Sequence, residues 1–468
     1  MMRNRICGMA LAVLTIFGPV HGKAETLTDA LIAAYENSNL LEQNRAVLRA
    51  ADEDVAVAVS ALRPVVSYAV NWGSSWTKRT AGAMSSDFHA LNLSVSLSAE
   101  MVLFDFGRSK IGIDLARESV LATRQALVAV EQQVLLAAVQ AYVEVRLRQE
   151  IVALRQSNVR LIGEELRAAQ DRFDVGEITR TDVSIAEAAL AAARSGLAAA
   201  EGDLMVARES YKAATGHYPG RLAPLPASPA IGRNADEARA VALRSHPAIL
   251  QAQHQVAIAD AQVALADANM KPTIGIGLSV GNSSIDSSAV GGDSASLTTQ
   301  LGLTMSQTLY AGGRLSALYR KAVAQGAAAR AGLHQTVVTV EQGVGNAWAA
   351  LAVHSASIEA SRQQIVAAQE AFEGVRQEAA LGARTTLDVL NAEQDLLDAR
   401  AARLQAEAGR TVTVYQILSA MGLLTVEHLG LGIPTYDPNA YYDAVKTAPA
   451  TSSRGRKLDR ILERAGRQ

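Results

Sequence analysis

The sequence predicts a fold that is mixed all-α plus transmembrane β, built from two tandem repeats. Three observations predict it. Many residues recur at a fixed distance along the chain, four segments alternate apolar with small polar residues, and two stretches of about 60 residues show helical spacing without proline. Repeat architectures are built from copies of one supersecondary unit, so the repeat has to be established first. Each repeat is predicted to be a long-helix coiled-coil unit that carries a two-stranded β-hairpin.

The duplication is visible in residue pairs that share one offset of 206 positions. The pairs are Gly107-Arg108 with Gly313-Arg314, Gly176 with Gly382, Asp182-Val183 with Asp388-Val389, Ala193-Arg194 with Ala399-Arg400, and Gly216 with Gly422. Upstream the offset becomes 208, so that Pro64 matches Pro272 and the second hairpin region is two residues shorter. The first repeat is therefore assigned to 25–216 and the second to 236–422.

The N-terminal segment 1–24 has the composition of a secretory signal peptide. Two arginines precede an apolar core at 6–17, and small residues flank a cleavage site before Glu25. The single cysteine, Cys7, lies inside this segment, so a mature chain would contain no disulfide and no thiol nucleophile. No later run approaches the roughly 20 apolar residues that a membrane-spanning helix needs.

Charge is distributed unevenly along the chain. Residues 25–445 carry a net charge near −10, which argues against nucleic acid as a partner. The tail 446–468 carries a net charge of +5 and is predicted to be solvated, with disorder expected beyond about residue 440. The Gly- and Pro-containing segments 217–235 and 423–445 are predicted to connect the repeats and to pack around the middle of the helices.

Each half is predicted to run helix, strand, strand, very long helix, Gly-containing turn, helix. About 60 residues of continuous helix would measure about 90 Å, which favours coiled-coil packing over an ordinary globular core. The predicted helices are 27–62, 110–170, 182–214, 236–269, 315–379 and 386–420. The predicted hairpins are 65–103, with strands 65–78 and 89–103, and 273–309, with strands 273–281 and 297–309; the tips of the helical hairpins are 172–183 and 380–390.

The four strands alternate as membrane strands do. In the first strand Tyr68, Trp72 and Trp76 share one face, and small or polar residues occupy the other. A transmembrane strand needs about 9 to 11 residues, with lipid-facing and lumen-facing side chains in alternation. A soluble antiparallel sheet with one buried face would give the same pattern, but the sequence supplies no second sheet to cover it. The three aromatic side chains also suit the interface between lipid and water.

Four strands are too few to close a barrel, because the smallest membrane barrels have about eight. An open edge in hydrocarbon would leave backbone groups unpaired, so the chain is expected to oligomerise. A dimer would supply eight strands and a trimer twelve. Because an eight-stranded barrel is filled by its own side chains, a channel favours the trimer.

The long helices are rich in alanine, which permits close helix–helix approach. They predict either a solvent-exposed coiled coil or a hollow cylinder of helices continuous with the barrel. At the two turns, Gly176 and Gly382 permit the left-handed backbone that ends a helix. The residues expected to cap the following helices are Thr181, Asp182, Thr386 and Asp388.

The tip and post-hairpin sequences resemble those of the TolC-like outer-membrane channel family. The most specific motifs are Arg-Phe-Asp-Val-Gly at 172–176 before Thr-Asp-Val, Gly-x-Arg-Thr at 382–385 before Asp-Val-Leu, and the Gly-Arg segments at 103–108 and 309–314. The resemblance runs from about 27 to 425. It implies a homotrimer whose 12-stranded β-barrel continues into an α-helical periplasmic tunnel. It also implies that the channel operates together with a periplasmic membrane-fusion adaptor and an inner-membrane ABC or proton-driven transporter.

The same resemblance implies roles for residues at the tips. Asp388 matches a carboxylate that lines the constricted entrance, although a helix cap explains it equally well. Asn391 stands where the family has a second carboxylate, and Glu393 could share that role. Arg384 matches a cationic residue that links neighbouring tips and holds the entrance shut.

The partners of Arg384 in that link match Thr181 and Asp182, while a tyrosine used in a second link is replaced by Ala379. Gly176 and Gly382 match the place where the adaptor docks, although both also serve as plain turn glycines. The closed state is therefore expected to be held less firmly, or differently, than in the family's type member.

No catalytic constellation is recognisable in the sequence. The eight histidines are scattered without metal-ligand spacing, and Gly275, Gly277 and Gly281 lack the spacing of a nucleotide loop. Together with this absence, the resemblance implies a passive export duct without cofactor or metal, located in the outer membrane with a large periplasmic portion. The alternative is a soluble periplasmic coiled-coil adaptor, which would have one helical hairpin and no membrane-type strands. The absence of a lipidation cysteine resembles secretion-type members, but the exported substrate, protein or drug, stays open.

Overall fold

The computed structural model of the 468-residue chain describes residues 24–287, 292–448 and 460. Its helices are α1 Leu27–Asn37, α2 Asn39–Ser60, α3 Arg108–Asp174, α4 Arg180–Thr215, α5 Ala235–Ser245, α6 Pro247–Ala268, α7 Arg314–Ala380, α8 Thr386–Ala420 and α9 Pro438–Val445. Its strands are β1 Val65–Ala81, β2 Met84–Phe104, β3 Thr273–Ser287 and β4 Gly292–Ser306. Residues 1–23 of the expected signal peptide and most of the expected disordered tail lie outside the described residues.

The two halves repeat one order of elements, which confirms the predicted duplication. In each half two short helices lead to a pair of strands, and a 67-residue helix and a helix of 35 or 36 residues follow. Both 67-residue helices begin directly after a glycine in the left-handed conformation, Gly107 with φ 86° and Gly313 with φ 84°. The matched sequence Gly-Arg therefore marks the same helix start twice.

The first helix of each half is broken, contrary to the prediction of continuous helices over 27–62 and 236–269. At Ser38 the backbone is extended, and the serine side chain accepts a hydrogen bond from the Leu41 amide, which starts α2. At the equivalent place Pro247 starts α6, and His246 accepts from the Ala248 amide. Proline lacks the N–H that a continuing helix would need, so the break follows from its position.

All four strands form one antiparallel sheet in the order β1-β2-β3-β4. Residues opposite one another share a face, and the register pairs Tyr68 with Leu97, Trp72 with Leu93, and Leu278 with Leu301. The apolar positions of the four strands therefore form one continuous face. Tyr68, Trp72 and Trp76 are 80%, 79% and 82% exposed on it in the single chain.

The strands are longer than the alternation predicts at the hairpin ends. β1 and β2 continue to a two-residue turn after Ala81. β3 and β4 stay paired as far as Ser287 and Gly292. Polar residues at these ends interrupt the alternation without interrupting the backbone ladder. At the other end β4 stops at Ser306 rather than at 309.

The largest apolar core lies where α1, α3 and α4 meet the connecting segments. Leu135, Tyr142 and Tyr211 are fully buried there. The Tyr142 hydroxyl donates to the carbonyls of Glu25 at 3.0 Å and Ala223 at 2.7 Å, which ties the start of the described chain to the first connecting segment. The connecting segments thus pack beside the middle of the long helices.

Residues 438–445 are helical, contrary to the disorder expected beyond about 440. Asp437 caps α9 by accepting from the Asn439 amide, and Pro438 fits the first helical turn. The Tyr441 hydroxyl donates to Glu53 on α2 at 2.7 Å, so this short helix is held by tertiary contacts that its sequence does not reveal.

Among the described residues, two helices are apolar enough over part of their length to cross a membrane, contrary to the sequence expectation. Both α3 and α4 contain an apolar stretch of 18 residues with at most two charged side chains. Such stretches also occur in core helices of soluble assemblies, and apolar side chains of α3 such as Val139 pack in the core with α1 and α4. Length and composition alone therefore do not make these helices membrane spans.

Candidate functional site at the helical tips

The two turns between the long helices are structural copies of each other. α3 ends at Asp174 and α7 at Ala380, and Gly176 and Gly382 follow with φ of 82° and 76°. The amide of Glu177 donates to the Arg172 carbonyl, and the amide of Ala383 to the Glu378 carbonyl, each at 2.9 Å. A left-handed glycine with this bond is a common helix C-terminus. Nothing lies within 4 Å of a Cβ added to either glycine, so their backbone conformation alone favours glycine.

The helices after the turns start with capping boxes. Thr385 accepts from the Asp388 amide, while the Asp388 carboxylate accepts from the Thr385 amide at 3.0 Å and hydroxyl at 2.8 Å. Thr179 and Asp182 make the same exchange at 3.0 and 2.7 Å. The N-caps are therefore Thr179 and Thr385 rather than Thr181 or Thr386, while Asp182 and Asp388 contribute to the caps as expected, each as the third helical residue in its capping box.

Both carboxylates of the capping boxes stay charged. Hydrogen bonds from the Thr385 backbone and side chain lower the pKa of Asp388, and Arg384 lowers it further. Hydrogen bonds from the Thr179 side chain and backbone lower the pKa of Asp182. The partial positive charge at a helix N-terminus acts in the same direction. Asp388 can thus act as a helix cap within a single chain, whereas a ring of Asp388 carboxylates requires several copies of the chain.

Arg384 is paired within its own turn. Its Nε donates to the Glu378 carboxylate at 2.9 Å, and both side chains are about half exposed. This hydrogen bond raises the pKa of Arg384. Among the described residues of one chain, no hydrogen bond joins Arg384 to Thr181 or Asp182. A link between these groups would have to form between chains.

Asn391 and Glu393 have different environments, and the expectation that Glu393 shares the entrance with Asp388 is wrong. Asn391 is exposed one turn after Asp388. Glu393 is only 4% exposed and accepts from the Asn158 side-chain amide on α3 at 2.7 Å. Burial raises the pKa of Glu393 to about 7. Its position two residues after Asn391 turns it toward α3 and away from solvent.

The two helical hairpins of one chain are also joined at the tips by arginines. Arg172 donates to the Ala379 carbonyl at 3.1 Å, and Arg376 pairs with Glu165 at 3.0 Å. Ala379, which replaces the family's tyrosine, is buried beside Phe372. The sequence motif contains Arg172 but does not reveal this contact, because its acceptor is a backbone carbonyl. Within the described part of the chain, no cluster of histidine, cysteine or carboxylate residues could hold a metal ion.

Comparison with known proteins identifies the family. The family model of outer membrane efflux proteins matches residues 31–217 and 239–423, one match in each repeat. The chain belongs to the outer membrane efflux protein family. This assignment confirms the resemblance to TolC-like channels and places the protein in the outer membrane with a periplasmic portion.

Alignments with named relatives cover most of the chain. The sequence is 37% identical over 441 residues to outer membrane efflux protein BepC of Brucella suis, covering 94% of this chain and 95% of that protein. It is 26% identical over 421 residues to outer membrane protein TolC of Salmonella enteritidis, covering 86% and 84%. The solved CmeC outer membrane channel of Campylobacter jejuni superposes with a TM-score of 0.72 at 16% identity, over 91% and 90% of the two chains.

These similarities favour an efflux or secretion duct over the alternative of a soluble adaptor. The family consists of channels rather than enzymes, and the likeness to the CmeC channel shows the fold of a helical tunnel joined to a barrel. The described chain itself has two strand hairpins and two helical hairpins.

Thr385→Ala is expected to destabilise the first turn of α8 by about 1 kcal/mol, because it removes the acceptor of the Asp388 amide. Hydrogen exchange read by mass spectrometry should then be about fivefold faster in that turn. Thr386→Ala is the matched control, since the Thr386 side chain takes no part in the capping box. Equal acceleration in both variants would contradict the cap assignment.

Proposed function

We propose that three copies of this chain form a passive outer-membrane duct for type I secretion, drug efflux or both. The single observation that carries the proposal is the four-stranded sheet, which has one continuous apolar face and free edges at β1 and β4. In lipid, the edge of one copy must pair with the edge of the next. Three copies supply twelve strands and leave a channel, whereas eight strands from two copies would fill their own interior.

In this assembly the apolar face contacts lipid. Tyr68, Trp72 and Trp76 lie on it at intervals of four residues, where aromatic side chains can reach the lipid headgroups. The polar and glycine positions of the other face line the lumen. The strong exposure of the three aromatics in one chain supports this orientation, because a soluble sheet would cover them.

The tips form the periplasmic entrance. α3 starts four residues after β2 and ends at the first tip, so about 100 Å of helix separates the sheet from the tips. In this proposal the duct is passive, and energy comes from an inner-membrane ABC or proton-driven transporter. A periplasmic membrane-fusion adaptor connects the two and docks at the tips around Gly176 and Gly382, where the turns project beyond the helices.

Charged side chains set the behaviour of the entrance. Three symmetry copies of Asp388, with Asn391 one turn further, form a ring that favours cations. Arg384 holds neighbouring tips together by donating to Thr181 and Asp182 of the next copy. The exposed pair with Glu378 orients the Arg384 side chain within its own turn. An entrance closed by a few exposed pairs suits a gate that an adaptor opens, since such pairs are weak.

Arg384→Gln is expected to raise the single-channel conductance of the purified protein in a planar bilayer, because the link between tips loses its charge. Arg180→Gln is the matched control, as Arg180 is an exposed arginine of the first tip that pairs only with Glu187 among the described residues. Wild-type protein should give small cation-selective currents. Unchanged conductance in Arg384→Gln would contradict the lock, and the absence of any current from wild-type protein would contradict the duct.

Asp388→Asn is expected to weaken block of the channel by multivalent cations applied from the tip side, because the ring loses its charge. Thr385→Ala weakens the same capping box but keeps the Asp388 carboxylate, so it controls for local helix destabilisation. Titration of the current with a trivalent cation gives the blocking concentration for each variant. Equal block in wild type and Asp388→Asn would reduce Asp388 to a helix cap.

A further inference from the structure

The two helical hairpins of one chain meet at a buried polar contact between α3 and α8. Asn158 on α3 is 6% exposed and Glu393 on α8 is 4% exposed. The Asn158 side-chain amide donates to Glu393 Oε1 at 2.7 Å. Glu393 is seven residues from the start of α8 and five residues from Asp388, so the contact lies near the proposed entrance.

Apolar clusters adjoin this contact. One cluster joins Ile162 of α3 and Ala193 of α4 to Leu390 of α8. The other joins Phe372 of α7 to Val389 and Leu396 of α8. A carboxylate placed among such side chains loses its hydration, and that cost is recovered only when its oxygens find donors or positive charge.

The hydrogen-bond donors around Glu393 suit its protonated form better than its ionised form. Oε1 accepts from Asn158, but Oε2 is buried and has no hydrogen-bond partner among the described residues. An ionised carboxylate needs donors at both oxygens. A protonated carboxyl needs fewer, and the Asn158 amide serves both forms, since its nitrogen donates and its oxygen accepts.

The charges that act on Glu393 come from two neighbouring helices. Glu165 of α3 raises the pKa of Glu393 and Arg376 of α7 lowers it, but these two groups pair with each other at 3.0 Å. α4 presents the apolar residues Ile185, Ala189 and Leu190 to the adjoining cluster. Burial therefore dominates and raises the pKa of Glu393 from 4.5 to about 7, against the lowering by the Asn158 hydrogen bond.

We propose that Asn158 and Glu393 form a proton-controlled latch, which holds the two hairpins of one chain together while Glu393 is protonated and loosens when it ionises. This inference rests on the proposed function, since it assigns the contact to the entrance. Binding of a proton to Glu393 controls the latch, and it changes how firmly α8 packs against α3. The gate of each copy thereby responds to periplasmic pH in addition to any adaptor.

The direction of the response follows from the two environments of Glu393. In an open entrance with α8 moved from α3, a solvated Glu393 has its usual pKa near 4.5, whereas in the closed entrance the pKa is about 7. Below about 4.5 both states are protonated and the latch is fully effective. As pH rises toward 7 the open state loses its proton first, so the closed state is progressively destabilised. One pKa unit corresponds to a tenfold shift, which gives an upper limit of roughly 300-fold in the ratio of open to closed.

The first repeat supplies a matched control. Glu187 stands 206 residues before Glu393, at the equivalent position of α4, but it is exposed and pairs with Arg180 at 3.7 Å. Glu187→Gln therefore makes the same chemical change outside the latch. Glu393→Gln imitates the protonated carboxyl in shape and hydrogen bonding, and it cannot ionise.

The test records open probability in planar bilayers from about pH 5 to about pH 8 for the full-length wild type, Glu393→Gln and Glu187→Gln. Wild type and Glu187→Gln should open more as pH rises, with a midpoint near or below the pKa of about 7. Glu393→Gln should stay mostly closed across the range. Persistence of the wild-type pH profile in Glu393→Gln would overturn the latch. Protein without any channel current would instead overturn the proposed duct.

Infrared difference spectra give a second readout that does not depend on current. Between acid and neutral pH, wild type and Glu187→Gln should lose a larger carbonyl band of buried protonated carboxyls than Glu393→Gln, since Asp52, whose pKa burial raises to about 6, titrates in all three. The same band change in Glu393→Gln would assign the titration to another group and contradict the latch. Native mass measurement on each variant confirms that the assemblies compared are the same.

Discussion

The unpaired edges of the four-stranded sheet are the constraint on which the rest of the molecule depends. One face of the sheet is apolar from β1 to β4, so it is suited to lipid, but a lipid environment offers no water to the backbone groups of β1 and β4. The only closed solution is pairing with further copies. In the proposed closed sheet, the helices that continue from the strands would surround the same axis, with the tips at its far end.

Duplication explains how one chain supplies equal parts to such a ring. The two tips use the same turn, glycine and capping box, with Thr179 and Asp182 repeated as Thr385 and Asp388. The two proposals for the entrance use differences between the copies. The first repeat has an exposed glutamate where the second has the buried Glu393, and the first tip lacks an arginine at the position of Arg384. Two structurally equal hairpins can therefore play unequal parts in opening the entrance.

Regular features of the fold were predictable from the sequence because they follow from periodicity. Alternation of apolar and polar residues gave the strands and their shared face, and the absence of proline gave the two long helices. The helix break at Ser38 was not predictable in this way, because its neighbours continue the helical spacing and a single side-chain cap decides it. Helix α9 depends on contacts such as that of Tyr441 with Glu53, which lie far apart in sequence.

The tips were predictable in outline and not in detail. Glycine and threonine near each turn indicated a C-terminus and a cap, but the cap lies at Thr385 rather than at its neighbour Thr386. Glu393 looked like an entrance carboxylate, since the sequence places it only two residues after Asn391. Its burial against Asn158 depends on which way α8 faces α3, and that rotation is fixed by apolar packing such as that of Leu390 with Ile162.

The central claim is that three chains close one barrel. Native mass spectrometry of the detergent-extracted protein tests it most directly, because the number of chains in the assembly fixes the number of strands available. The account predicts a particle with three times the mass of the single chain, stable in detergent and lost only on unfolding. A stable monomer that remains soluble without detergent would contradict it, since the free edges and the exposed apolar face would then have no partner.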